Sequence, residues 1–552
     1  MKLDAYTPNE LVAFPSRREW ERQMRLSNHL FYGDNLSVLR SCIPDESVDL
    51  IYLDPPFNSN ANYNILFRSP AGRESEAQVE AFRDSWHWND AAEDAFQVMQ
   101  SGRTRAFDML AAIRASLGDN DMMAYLAMMT VRLIELPRVL RPTGSIYLHC
   151  DPTASHYFKL VMDSIFGPER FRNEITWKRT SAHSDGGRHG RNTDTLLFYA
   201  KGARPVWNAQ FTPYEADYES RFRNCDPNGR RWMDDNLTAK GLSGGGYPYT
   251  YKGIESLWRM PPETMERLNR EGRLHFTRNG GIRLKRYLNE ARGVPVQALW
   301  SNIPALNSQA QERLGYPTQK PLALLERIIA ASSNLGDVVL DPFCGCGTAV
   351  HAAPKLGRRW AGIDITHLAI SLIERRMKAA FPGLALRVEG TPRDSASAAD
   401  LARRDPFQFQ WWAISMVDAV PAGGRKKGPD GGIDGIIYFR PERRRTAKAV
   451  VSVKGGEHVC VGMVRDLHSV MARERAPIGV LLSRSPPSAP MLREAAAVGR
   501  FHSEAMGRSY ARLQILTIDE LFGGKRPDIP LIDPVSFRPT AREGGSGQAQ
   551  LL

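Results

Sequence analysis

Residues 337–365 read DVVLDPFCGCGTAVHAAPKLGRRWAGIDI. An apolar run ends in Asp341-Pro342-Phe343. A turn holding Gly345 and Gly347 follows, then Thr348 and a helical stretch through Leu356. A second apolar run ends in Gly362-Ile363-Asp364-Ile365. Strand, glycine turn, helix and strand in this order make one unit of a parallel α/β sheet. Glycines at a strand-to-helix turn let the backbone approach a ligand closely, and the helix N-terminus favours an anionic group. An acid ending the next strand, ~20 residues past the turn, suits ribose hydroxyls. The pattern is that of a nucleoside-cofactor site. The Gly-Lys-Ser/Thr ending of a phosphate loop is missing.

The same rhythm extends upstream. HLFYGDN (29–35), VDLIYLDPPF (48–57), SIYLHCD (145–151), ITWKR (175–179) and DTLLFYAK (194–201) read as strands. Helical spacing covers 125–140, 157–166 and 321–331, and a Pro-Thr-Gly turn is expected at 142–144. Residues 201–315 break the alternation with Arg, Asn, Gly, Trp and Tyr, and read as an insert. Residues 389–405 are small and polar, a linker by composition. The expected organisation is an arm (1–27), a first α/β part (28–200), the insert (201–315), a second α/β part (316–388), the linker, a smaller α/β domain (406–530) and a disordered tail (531–552).

The sharpest chemical feature is Asp54-Pro55-Pro56-Phe57, where a buried strand runs out. Open α/β sheets place ligands at such strand ends. Two prolines remove two N–H donors and stiffen the loop, leaving carbonyls free to accept. With the Asp54 carboxylate they form a pair of acceptors suited to an NH2 group, and Phe57 offers a face for a flat ring. Drawing amino hydrogens out of a ring plane localises the nitrogen lone pair toward an electrophile. A rigid polar turn capping the strand is the plainer alternative.

Taken together, residues 28–379 resemble the β-class amino-methyltransferases of DNA, whose members include modification subunits of type III-like systems. In that group the Asp-Pro-Pro-aromatic motif precedes the target-recognition region and the cofactor motif comes last, as here. YLAMMTVRLIELPRVLRPTGSIYLHCD, RLGYPTQKPLALLERII and DVVLDPFCGCGT carry the likeness. The resemblance implies a Rossmann-like methyltransferase sheet with permuted motif order, S-adenosylmethionine as donor and double-stranded DNA as substrate. It implies that Asp54, Pro55, Pro56 and Phe57 hold a flipped base. It places Asp341, Pro342, Phe343, Gly345, Gly347 and Thr348 along the cofactor, with Asp364 on the ribose. Asp34 matches a motif at the adenine end of that pocket, or caps a turn. Thr318, Gln319 and Lys320 lie cofactor-proximal, or Lys320 faces solvent. Members whose motif starts with Asp mostly act on adenine N6 and those with Ser on cytosine N4, so Asp54 favours adenine. Cytosine N4 transfer, a fused methylase-nuclease and a non-catalytic DNA-binding module remain as alternatives.

The insert is the expected target-recognition region. Arg283, Lys285 and Arg286 are candidates for phosphate or guanine contacts. Its aromatics Trp232, Tyr247, Tyr249, Tyr251 and Trp258 stack on bases or, more often for such residues, form a small core. Near the C-terminus, GPDGGIDG (428–435) followed by IIYF and VVSVKGG resembles the Mrr-type restriction-endonuclease core. Asp434 and Lys454 match it. Ser452 stands where an acid or Gln belongs, a poor ligand for a hard cation, and Gln408 and Gln410 stand where such folds often carry Glu. A nuclease-like fold kept for DNA engagement or docking is the expectation.

Lys and Arg number 73 against 61 Asp and Glu, a formal charge of +12, which favours a polyanionic partner. The six cysteines form no metal-type double pair, and Cys344 and Cys346 read as small residues in a tight turn, so no metal site and a reducing cytoplasm are expected. No apolar run reaches the ~20 residues of a membrane span, and the first residues lack a signal peptide's apolar stretch. A restriction subunit or a second copy of the chain are the protein partners left open.

Overall fold

Val48–Leu53 is buried along its whole length, as a strand is when helices cover both faces of its sheet. In the computed structural model it belongs to a nine-stranded sheet among the described residues. Those residues are 17–530, without 57–61, 69–73, 84–89, 103, 182–186, 188, 240–244, 291, 308–309, 311, 315, 317, 423–431, 443–444 and 505. In chain order the strands are β1 (Asn28–Tyr32), β2 (Val48–Leu53), β3 (Leu140–Cys150), β4 (Phe171–Lys178), β5 (Thr193–Ala200), β6 (Leu299–Trp300), β7 (Val338–Asp341), β8 (Arg359–Asp364) and β9 (Leu386–Glu389). Across the sheet they run β6-β4-β5-β3-β2-β7-β8-β1-β9. Every neighbour pair from β3 to β9 is parallel, and β5 is antiparallel to both its neighbours. This is a Rossmann-like α/β sheet.

The order has one consequence for the site. β2 and β7 are nearly 300 residues apart in the chain yet paired side by side, Leu50 against Val339 and Ile51 against Leu340. Their carboxyl ends therefore deliver Asp54 and Asp341 to one edge. Four helices complete the frame: α1 (Asn35–Cys42), α2 (Asp121–Val139), α3 (Thr348–Lys355) and α4 (His367–Ala380). Pro142-Thr143-Gly144, expected as a turn, is extended chain within β3. Val48 pairs Leu140 and Leu50 pairs Ser145, so the extra residues form a bulge opposite Asp49. A Cβ on Gly144 would lie 2.9 Å from the Asp49 carbonyl oxygen, so only glycine passes there without a shift.

Within the expected linker, Ser395–Arg404 is helical (α5). Asp394 and Ser397 form a reciprocal capping box at its start, and Ala398 and Leu401 are buried one turn apart. Pro406–Ser415 follows as α6. Then comes a mixed five-stranded sheet of Val420–Pro421, Gly435–Glu442, Arg445–Lys454, Ile478–Ser483 and Leu513–Thr517, in that order. Phe409, Trp411 and Trp412 of α6 share one hydrophobic core with Tyr316, Cys346 and Leu368 of the large-sheet domain. The C-terminal domain is thus packed against that domain rather than tethered to it.

Residues 209–297 form a compact unit of their own. A four-stranded antiparallel sheet, a hairpin (Tyr247–Tyr251 with Ile254–Trp258) and a helix (Pro262–Arg270) close over Leu237, Trp258, Met265, Leu268, Leu274 and Ile282. Residues 1–16 of the expected arm and the expected tail lie outside the described residues; Arg17–Leu26 is a helix. Among the described residues no helix is long and apolar enough to cross a membrane.

Candidate active site

The ends of β1, β2, β7 and β8 open on one cavity of about 210 Å³. The β7 loop is shaped by its glycines. Gly345 has φ +52° and Gly347 φ +76°, the left-handed region that side chains avoid. A Cβ on Gly347 would meet Ile373 at 2.7 Å. Cys344 and Cys346 are buried in this turn, and the Cys344 amide donates to the Ile363 carbonyl on β8. The loops are knitted together: the Gly345 amide donates to Asp364 Oδ2, and Asn35 Nδ2 donates to the Pro342 carbonyl.

Three of the expected carboxylates meet here. Asp54 is held by Lys320, whose Nζ lies 2.7 Å from both carboxylate oxygens. Lys320 is only 7% exposed, so it does not face solvent. Asp341 is 2% exposed and accepts from the Phe343 amide. Burial pushes its carboxyl up to about 8, and the charges of Asp54 and Asp364 add to that push. Burial likewise raises Asp364 to about 6, against the hydrogen bonds it accepts from Thr366 and Gly345. Four acids, Asp34, Asp54, Asp341 and Asp364, against Arg132 and Lys320 make a cavity short of positive charge.

Asp34, Pro55, Pro56, Thr318, Pro342, Phe343, Gly345 and Thr348 line the same cavity as Asp54, Lys320, Asp341 and Asp364. Gly347 and Gln319 are not among its walls. The Gln319 side chain braces its own loop, accepting from the Leu314 amide and donating to the Glu312 carbonyl. Phe57 lies outside the described residues. Asp34 does two things: Oδ1 caps α1 through the Ser37 amide, and Oδ2 pairs with Arg132 at 2.6 Å. Arg132 and Tyr52 are wall residues that the sequence reading passed over. Arg132 is the one charged residue in the apolar stretch YLAMMTVRLI of α2, a signal that was legible. Tyr52 is fixed from behind: its hydroxyl meets His149 Nδ1 at 2.9 Å, and His149 Nε2 meets Asp194 at 3.1 Å, all buried.

In the C-terminal domain Asp434 accepts from the Gln410 amide through one carboxylate oxygen and from the Val453 amide through the other. Ser452 is buried. Among the described residues no group of His, Cys, Asp and Glu could hold a metal ion. In the unit 209–297, Trp232, Tyr251 and Trp258 are buried while Tyr247 is exposed. Each candidate cation is paired across the β-ladder or to a nearby turn: Arg283 with Asp234, Lys285 with Asp226 and Arg286 with Asp235.

The sequence pattern of the family described as DNA methylase, the N6/N4 group, matches residues 48–375. Residues 423–522 match the pattern described as NACHT-associated inactive Restriction Endonuclease 1. The chain is 28% identical to the type II methyltransferase M.EcaI of Enterobacter cloacae, over 64% of this chain and 70% of that protein. It is 30% identical to the Mod subunit of the type III restriction-modification enzyme StyLTI of Salmonella typhimurium, over 61% of this chain and 51% of that one. It is 25% identical to the DNA adenine methyltransferase YhdJ of Escherichia coli, over 64% and 83%. The first pattern spans more than half of the chain and contains both strand-end motifs, and the protein belongs to the N6/N4 family of DNA methylases.

Proposed function

We propose that the protein transfers a methyl group from S-adenosylmethionine to the exocyclic amino group of a base in duplex DNA, and that the base is adenine, methylated at N6. The observation that carries this is the meeting of Asp54-Pro55-Pro56 and the Asp341–Thr348 turn at one cavity, from paired strands. S-adenosylmethionine supplies an electrophilic methyl group on a positively charged sulfur. The residues fit it: Asp54 is paired with Lys320 and Asp34 with Arg132, and the further acids Asp341 and Asp364 on the same walls favour a cationic ligand. Asp364 and the glycine turn would hold its nucleoside part, and Asp34, steadied by Arg132, would lie toward the adenine end.

The chain's own residues act on the base. A base inside a duplex hides its amino lone pair, so the target rotates out of the stack at a cost of a few kcal/mol. Asp54 and the Pro55 carbonyl accept the two amino hydrogens and turn the lone pair toward the methyl group. Lys320, bonded to both oxygens, fixes the direction of the Asp54 carboxylate. The amino nitrogen sheds one proton in exchange for the methyl group, whose bond to sulfur breaks to leave a neutral thioether. Asp54, already accepting from that nitrogen, is placed to take the proton. Adenine is favoured by the Asp that opens the motif and by the likeness to an adenine methyltransferase. The region 201–315 reads the target sequence, and the likeness to a Mod subunit favours a restriction subunit as partner. The C-terminal domain is a nuclease-like fold that does not cleave, since Ser452 stands where an acid or Gln would be needed to hold a hard cation.

The test is incubation with methyl-labelled S-adenosylmethionine and duplex DNA free of methylation, then digestion to nucleosides. Label in N6-methyladenine is expected. Label in N4-methylcytosine would overturn the choice of base, and no transfer by protein with bound cofactor would overturn the activity.

A further inference from the structure

The helix α4 begins at His367, directly after the cavity residues Asp364, Ile365 and Thr366. A helix start leaves its first amides without partners in the helix. Here two are satisfied by side chains. Thr366 Oγ1 accepts from the Ala369 amide, and the His367 amide donates to Gln408 Oε1 at 3.0 Å. Gln408 belongs to α6 of the C-terminal domain, 41 residues away, and is 6% exposed. The same junction reaches the opposite wall. The His367 ring stacks on Tyr32 with centroids 3.6 Å apart, and Tyr32 leads into Gly33 and Asp34. It also reaches the glycine turn, because Arg376 of α4 donates to the Cys346 carbonyl and Cys346 shares the core with Phe409 and Trp412.

We infer that Gln408 is a positioning residue for cofactor binding, by which the nuclease-like domain holds the cofactor wall of the methyltransferase in shape. Where Mrr-type nucleases often carry an acid, this chain has a glutamine turned away toward the neighbouring domain. Without its acceptor the His367 amide is a buried orphan, and the Asp364–Thr366 segment loses its anchor. The inference rests on the cavity binding S-adenosylmethionine.

The experiment uses the full chain and compares Gln408→Leu, Gln408→Glu and Gln410→Leu with the natural protein. Gln408→Leu is expected to raise KM and Kd for S-adenosylmethionine about five- to tenfold. Its kcat and its KM for DNA stay within about twofold. Gln408→Glu keeps an acceptor at a helix N-terminus, where negative charge is favoured, and restores cofactor affinity. Gln410→Leu breaks only the bond to Asp434 within the C-terminal domain, so it lowers thermal stability and leaves cofactor affinity unchanged. Equal cofactor affinity in Gln408→Leu and the natural protein would overturn the inference. So would an equal loss in Gln410→Leu, which would reduce the effect to domain stability. Failure of the natural protein to bind S-adenosylmethionine would instead overturn the functional reading beneath it.

Discussion

Asp54→Ala is expected to abolish methyl transfer, lowering the single-turnover rate by about 10³-fold or more, while cofactor affinity stays within about threefold. The carboxylate acts on the base and not on the donor, so its removal withdraws transition-state stabilisation and leaves the cofactor wall in place. The charge pair sharpens the expectation. Lys320 is buried and both Asp54 oxygens lie against it, and removing one partner of a buried pair destabilises by about 3–5 kcal/mol. Thermal unfolding of the variant therefore shifts downward. Asp54→Asn separates the two effects: it keeps the volume and one acceptor oxygen, loses the charge, and falls between Asp54→Ala and the natural protein in rate. Equilibrium titration with S-adenosylmethionine beside the rate measurement distinguishes an inactive folded enzyme from an unfolded one.

Cofactor affinity is expected to rise with pH between 6 and 8. In the free protein burial pushes the Asp341 carboxyl up to about 8, so near neutrality it carries its proton most of the time. A cationic ligand binds the carboxylate form, and binding releases that proton. Each pH unit below about 8 then weakens binding tenfold, about 100-fold at pH 6. Asp364, raised to about 6, steepens the fall only below that pH. The sign for stability is opposite. An acid whose folded pKa is raised contributes fully below its unfolded value, and the contribution fades as pH climbs to about 8. The ligand-free protein loses stability over that window, and the thermal shift on adding cofactor grows. Calorimetric titrations at pH 6, 7 and 8 check the slope. Asp341→Asn, which cannot release a proton, binds weakly and with a flat profile.

The fold and much of the site were legible because they depend on local rules. Apolar runs that end in polar loops gave the strands, and Asp54, Asp341 and Asp364 each stand where such a run stops. What was not legible depends on long-range partners. Pro142-Thr143-Gly144 carries turn residues, yet β2 holds it extended because a bulge opposite Asp49 absorbs them. The linker composition hid a helix, although Asp394 with Ser397 and the spacing of Ala398 and Leu401 marked its start and its buried face. Gln319 sits inside the cofactor-proximal motif but is turned to its own loop. The ion pair of Lys320 with Asp54 joins residues 266 apart, which no spacing rule reaches. The paired cations of 209–297 show the same limit: charge is read from sequence, its neutralisation across a β-ladder is not.

The division of labour between Asp54 and Asp364 is the central claim, and single-turnover transfer at rising cofactor concentration tests it most directly. With Asp364→Ala the rate should be low at modest S-adenosylmethionine and recover toward that of the natural protein at saturation. With Asp54→Ala it should stay near zero at every concentration. Recovery of Asp54→Ala at saturation, or an Asp364→Ala rate that no concentration restores, would contradict the assignment of one acid to the base and the other to the cofactor.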